Sequence, residues 1–85
     1  MHDRLIAALD ALEQGDWTAA HDIAQDDPSP EGAWMHAHLH RIEGDEGNAA
    51  YWYSRAGREK FPGTVEEEAA ALRETASRAP SGPGG

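Results

Sequence analysis

Three histidines at alternate positions, His36, His38 and His40, are the residues of this chain best suited to chemistry. They fall in residues 31–43, whose apolar spacing predicts a helix. At about 100° per residue, His36 and His40 share one face, and Glu43 follows His40 by three positions. Two imidazoles at i and i+4 with a nearby carboxylate can bind a divalent transition metal. The alternative is a pair of solvated histidines on a polar helix face.

His38 and His21 are predicted to lie against apolar or aromatic side chains. His38 points away from His36 and His40, and a buried imidazole needs hydrogen-bond partners for its ring nitrogens. It should therefore meet a polar partner in the core or open onto a groove, where it would contact a ligand or sense pH. His21 follows Trp17 by one helical turn, so we expect it to stack on the indole. The apolar face around His38 is predicted from Trp34, Met35, Leu39 and Ile42.

The next helix, predicted over residues 46–57, carries a polar stripe of Asn48, Tyr51 and Arg55. Tyrosine and arginine are common anchors at protein interfaces. Together with His38 and Arg41 on the preceding helix, this stripe predicts a surface that binds a protein or peptide. The alternative is that the arginines pair with carboxylates of their own chain and contribute little.

The sequence has no pattern typical of a catalytic centre. It has neither a nucleophile elbow with a Ser-His-Asp order nor a phosphate-binding glycine loop. An enzyme would have to use His36, His38 or His40 as a general base. We therefore predict no catalytic residue and no cofactor. The alternative is a metal-binding or catalytic protein that uses His36, His40 and Glu43, completed by a second subunit.

Composition limits the class of protein and its partners. The chain has 85 residues, a formal net charge of −9 and no cysteine. This length suits one small domain, and the acidic charge disfavours nucleic acid and membrane surfaces as partners. The absence of cysteine excludes disulfides and thiolate metal ligands. Because the chain shows neither a signal-peptide pattern nor an apolar run of roughly 20 residues, we expect a cytoplasmic protein.

Two Gly-Asp pairs, Gly15-Asp16 and Gly44-Asp45, each end one predicted helix and begin the next. The pairs stand 29 positions apart, and the same shift places His38 on Leu9. Apolar residues also superpose on apolar residues under this shift. The superposed pairs are Leu5 on Trp34, Ile6 on Met35, Ala20 on Ala49, and Ile23 on Trp52. This pattern indicates a repeated helical hairpin over residues 3–27 and 30–58.

The second copy of the repeat resembles a known family. Trp34 in its first helix, the Gly-Asp turn, and the run Asn48-Ala49-Ala50-Tyr51-Trp52-Tyr53-Ser54-Arg55-Ala56 are similar to the tetratricopeptide repeat and its Sel-type relative. The resemblance implies an all-α fold of two stacked antiparallel hairpins and, by analogy, a non-catalytic binding role. Because such stacks usually need about three repeats, we also expect a homodimer.

The C-terminal part is predicted to hold a capping helix, residues 64–78, and a disordered tail, residues 80–85. Thr64 and Glu67 have the spacing of a capping box. The tail is rich in glycine and proline and has little to bury. The helix should dock through a narrow apolar stripe of Val65, Ala69, Leu72 and Ala76.

Overall fold

The computed structural model describes residues 3–78 and consists, over that range, of α-helices and the segments that connect them. This result confirms the prediction of an all-α fold. The helices are α1 (Asp3–Glu13), α2 (Trp17–Gln25), α3 (Pro30–Ile42), α4 (Glu46–Ala56) and α5 (Val65–Ser77).

Local sequence signals fix most of the helix ends. Four helices begin at a side chain that accepts a hydrogen bond from the backbone N–H three residues later. These N-cap residues are Asp16, Ser29, Asp45 and Thr64. The Thr64 N–H donates to Oε1 of Glu67 at 2.7 Å, which completes the predicted capping box. Gly15 and Gly44 both have a φ of +83°, so each of the Gly-Asp turns needs glycine.

Helix α3 lies at the centre of the molecule, because it packs against each of the other four helices. Every residue from Gly32 to Leu39 is buried. The prediction of a polar face on this helix is therefore wrong for His36, whose exposed fraction is 3%. Conversely, Ile42 was expected in the core and is 38% exposed. The reason is that other helices cover α3 on all sides along its middle and leave its last turn open.

Helix α5 packs against α1 and α3. Leu72 and Ala76 from the predicted stripe are buried there, together with the carboxylate of Glu68. On its outer edge, Arg73 donates to Asp10 at 3.0 Å and to Glu13 at 3.1 Å. The C-terminal helix is thus joined to the rest of the fold by both apolar and polar contacts.

The observed helices fall within the predicted boundaries of the two hairpins and the capping helix. Their stacking as tetratricopeptide-like repeats stays a prediction. The predicted tail, residues 80–85, lies outside the described residues. None of the five helices in residues 3–78 has the length and apolar character that a membrane crossing requires.

Candidate metal centre

Helices α2 and α3 bring three histidines together. His36 and His40 lie one turn apart on α3, with ring centroids 5.0 Å apart and planes inclined by 21°. His21 on α2 meets them edge-on, and its Nε2 lies 3.0 Å from Nε2 of His36. One ring nitrogen from each of the three histidines lies within 4.8 Å of the other two. The predicted pair of imidazoles is therefore a cluster of three.

Two tryptophans surround this cluster. Trp17 stacks on His21, as predicted, with a centroid distance of 4.9 Å and an angle of 15°. Trp52 of α4 stacks on His36 at 3.9 Å and 12°. The Trp17 indole is itself fixed, because its Nε1 donates to the carbonyl oxygen of Leu39 at 3.0 Å. The imidazole planes of His21 and His36 are thus held by rigid aromatic neighbours.

Glu43 lies beside the cluster and orients one of its rings. Its Oε1 is 2.6 Å from Nδ1 of His40, which leaves Nε2 of His40 for another partner. A carboxylate on the far nitrogen of a histidine is the usual arrangement behind a metal ligand. The structure thus gives Glu43 an orienting position, whereas the sequence predicted it as a third ligand.

His40, Glu43 and Asp45 form a second group whose ligand atoms lie close together. Asp45 is already used as the N-cap of α4. It accepts from the backbone N–H of Asn48 at 3.2 Å and from the Asn48 amide at 2.7 Å. Glu43 is bound to His40. The carboxylates in this second group are therefore occupied by local hydrogen bonds. In the three-histidine cluster, the 3.0 Å contact between Nε2 of His21 and Nε2 of His36 is also a hydrogen bond, which a metal ion between the two rings would replace.

The environment of His36 keeps its ring uncharged near neutral pH. Burial, and then the nearby His21 and His40, lower the pKa of His36 from 6.5 to about 4. Its Nδ1 is buried and has no hydrogen-bond partner among residues 3–78. A neutral imidazole binds a metal ion through the nitrogen that does not carry the proton, so Nε2 of His36, which faces His21, is the ligand when Nδ1 holds the proton.

A second polar cluster lies on the opposite side of α3, around the buried carboxylate of Glu68. Its Oε1 accepts from Nδ1 of His38 at 2.7 Å and from Arg41 at 3.2 Å. Its Oε2 accepts from the Trp34 indole at 3.0 Å and from the Tyr53 hydroxyl. Glu68 and His38 are both 0% exposed. The predicted polar partner of the buried His38 is thus found for Nδ1, whereas Nε2 has no hydrogen-bond partner within residues 3–78.

These hydrogen bonds keep the carboxylate charged in spite of its burial. Desolvation alone would raise the pKa of Glu68, but the bonds from His38, Tyr53 and Trp34 outweigh it and lower the pKa to about 2. Burial and the bond to Glu68 raise the pKa of the Tyr53 hydroxyl, which stays protonated as a donor. Glu68 therefore acts as an anionic centre that joins α3, α4 and α5.

The structure separates the five residues predicted to form one binding surface. His38 and Arg41 turn inward to Glu68, and Arg41 also donates to the carbonyl oxygen of Gly63. Asn48 pairs with Asp45 at the start of α4. Tyr51 and Arg55 remain together on the outside of α4, joined by a hydrogen bond of 2.8 Å.

Two important residues were not predicted from the sequence. His21 was expected only to stack on Trp17, because nothing in the spacing indicates that α2 faces His36. Glu68 does carry a signal, since it stands four residues before Leu72 on the predicted apolar stripe of α5. A carboxylate at such a position predicts a buried hydrogen-bonded group.

Comparison with known proteins gives no further assignment. No protein-family model, no curated protein and no solved structure matches this chain. The function is therefore argued from the site itself.

Proposed function

We propose that this protein binds a divalent transition-metal ion through His21, His36 and His40. The observation that carries the proposal is the convergence of the three ring nitrogens within 4.8 Å. Ligand distances of 2.0–2.1 Å in a tetrahedral zinc site correspond to about 3.4 Å between two nitrogens. Nε2 of His21 and Nε2 of His36 are 3.0 Å apart. A metal ion between them would require these rings to separate by only a few tenths of an ångström.

The ligand set indicates the class of metal. Imidazole nitrogens suit zinc, copper, nickel and iron, whereas calcium and magnesium prefer oxygen ligands. Three neutral histidines leave the full charge of a divalent ion uncompensated in the first coordination sphere. The net charge of −9 over the chain favours such a cation at long range. Three protein ligands also leave one position of a tetrahedral ion free for water or another small ligand.

The surroundings support a preformed site. Glu43 bonds to Nδ1 of His40 and so leaves Nε2 as the nitrogen that can bind a metal ion. Stacking against Trp17 and Trp52 limits rotation of His21 and His36. Because the pKa of His36 is about 4, the ring is neutral at pH 7, and a metal ion has to replace only the hydrogen bond to Nε2 of His21.

Zinc binding by the full chain, purified without a polyhistidine tag, tests the proposal. Isothermal titration calorimetry and elemental analysis should show one zinc ion per chain. The change His21→Ala should abolish this binding, because His21 supplies one of the three ligands. Glu43→Gln should weaken it by about 10- to 100-fold, since an outer partner is lost.

Asp45→Asn is the matched control, because it alters the second group of possible ligands and leaves the three histidines intact. It should bind zinc like the wild type. Equal zinc affinity of His21→Ala and the wild type would contradict the proposal. Loss of zinc in Asp45→Asn, with binding retained in His21→Ala, would instead assign the metal to His40, Glu43 and Asp45.

A second candidate function is recognition of a protein or peptide partner by the outer face of α4. Tyr51 is 52% exposed, and its hydroxyl accepts from Arg55. The Arg55 guanidinium also lies over the Tyr51 ring, 5.7 Å from its centroid. Exposed tyrosine and arginine side chains are common interface anchors, and a second copy of the chain is one such partner. Light scattering after size exclusion should show a dimer in the wild type and a monomer in Tyr51→Ala. A monomeric wild type would rule out self-association.

A further inference from the structure

A cleft of about 490 Å³ is lined by α1, α3 and α5, on the side of α3 that carries His38. Its volume lies in the range of about 300–1,000 Å³ that is common for small-molecule sites. The apolar residues that line it are Leu9, Leu12, Ile42, Val65, Ala69 and Ala70. It shares no residue with the three-histidine cluster, so it is independent of the proposed metal site.

His38 gives this apolar cleft a single unpaired polar group. His38 is among the residues around the cleft, but its ring is 0% exposed and therefore lies just behind the surface of the wall. Its Nδ1 carries the proton that is donated to the ionised Glu68. The other ring nitrogen, Nε2, is buried and has no hydrogen-bond partner within residues 3–78. A buried polar atom without a partner is costly and uncommon in folded proteins. A ligand that supplied the missing hydrogen bond would remove this cost.

The charges at the cleft decide against a charged ligand. Glu13, Glu66 and Arg73 also line it. Arg73 is already bound to Asp10 and Glu13, so it offers no free counter-ion for an anion. Glu66 is exposed, so water screens its attraction for a cation, and a cation would also lose its hydration against a mainly apolar wall. A neutral molecule avoids both costs.

We propose that this cleft binds a small, neutral, largely apolar molecule that carries one hydroxyl group, such as a phenol or an alkyl alcohol. The apolar part packs against the side chains of α1 and α5. The hydroxyl displaces the side chains that now cover the His38 ring and bonds to Nε2, donating to its lone pair or accepting from its N–H. Glu68 fixes the orientation of the ring and so determines where this hydroxyl lies.

Two probes of nearly equal shape, p-cresol and p-xylene, test the proposal on the full chain. They differ by a hydroxyl in place of a methyl group. Titrations followed by ¹H–¹⁵N correlation spectra should place both probes near Leu12 and Ala69. The dissociation constant of p-cresol should be about fivefold or more below that of p-xylene. The ¹⁵N resonance of His38 Nε2 should shift with p-cresol only.

Two variants separate the hydroxyl contact from the cleft itself. His38→Phe should bind both probes equally, because the polar atom is lost while the volume is nearly kept. Ala69→Leu should bind neither probe, because the larger side chain fills the cleft while the Glu68 hydrogen bonds remain. Ala69→Leu carries the test if His38→Phe does not fold.

Three results would overturn the proposal. The first is equal affinity of the wild-type protein for the two probes. The second is binding of neither probe at millimolar concentration. The third is unchanged binding in Ala69→Leu, which would place the probes elsewhere on the molecule.

Discussion

Replacing Glu68 with glutamine tests the role of the buried carboxylate in stability. An amide has one oxygen, and its NH₂ group would face two of the present donors in either orientation. If the NH₂ group takes the place of Oε2, the Tyr53 hydroxyl can turn and accept from it, but the Trp34 indole can only donate and loses its acceptor. If the NH₂ group takes the place of Oε1, Arg41 can only donate and loses its acceptor. At least one of the groups now bound to Glu68 therefore loses its partner.

Two separate arguments give the size of the effect. Breaking a buried charge pair by removing one partner costs about 3–5 kcal/mol. The lowering of the Glu68 pKa from 4.5 to about 2 corresponds to roughly 3 kcal/mol of stability at neutral pH. A domain of this length has a free energy of unfolding of about 4–13 kcal/mol. Glu68→Gln should therefore remove a large part of the stability.

Urea unfolding followed by tryptophan fluorescence at pH 7 measures this loss. Glu66→Gln is the matched control, because Glu66 is an exposed carboxylate on the same helix. It should change the free energy of unfolding by no more than about 0.5 kcal/mol. A loss below about 1 kcal/mol in Glu68→Gln would refute the reasoning.

The same variant should show a characteristic pH dependence. The pKa of Glu68 is lower in the folded protein than in the unfolded chain, so its contribution is complete above pH 4.5. That contribution is lost as the pH falls from 4.5 through about 2. The stability difference between the wild type and Glu68→Gln should therefore narrow between pH 5 and pH 2. A difference that stays constant over this range would mean that the folded-state pKa is not lowered.

Four further predictions concern two glycines, the His36 ring and zinc binding. Gly32→Ala should destabilise the fold by about 1–3 kcal/mol, because its new methyl group would overlap the carbonyl oxygen and side chain of Asp27. Gly47→Ala should stabilise α4 by about 0.5–1 kcal/mol, since its methyl group meets no atom closer than 4.0 Å. The urea midpoint should therefore fall in Gly32→Ala and rise in Gly47→Ala, and a shift in the same direction for both variants would contradict the two predictions. In the metal-free protein, His36 should titrate by NMR with a pKa of about 4, and titration near 6.5 would show a solvated ring. Zinc at a free concentration of 100 times its dissociation constant should raise the free energy of unfolding by about 2.7 kcal/mol in the wild type and by nothing in His21→Ala.

The amino-acid sequence by itself determined the helices and where they begin. The turns at Gly15 and Gly44, the N-cap at Ser29 and the capping box from Thr64 to Glu67 depend on hydrogen bonds between residues at most a few positions apart. Such signals can be read without knowledge of the fold. The common face of His36 and His40 is fixed in the same way, because the helical repeat places i and i+4 side by side.

The tertiary structure alone decided what surrounds those residues. His21 joins His36 only because α2 packs against α3, and His36 is buried because Trp52 of α4 covers its ring. Glu68 reaches His38 across 30 positions of sequence. Helical periodicity gives the direction in which a side chain points from the axis of its own helix. Its burial and its polar partners depend on which other helices pack against that face. The chemistry of both clusters therefore follows from packing between helices that are distant in the chain.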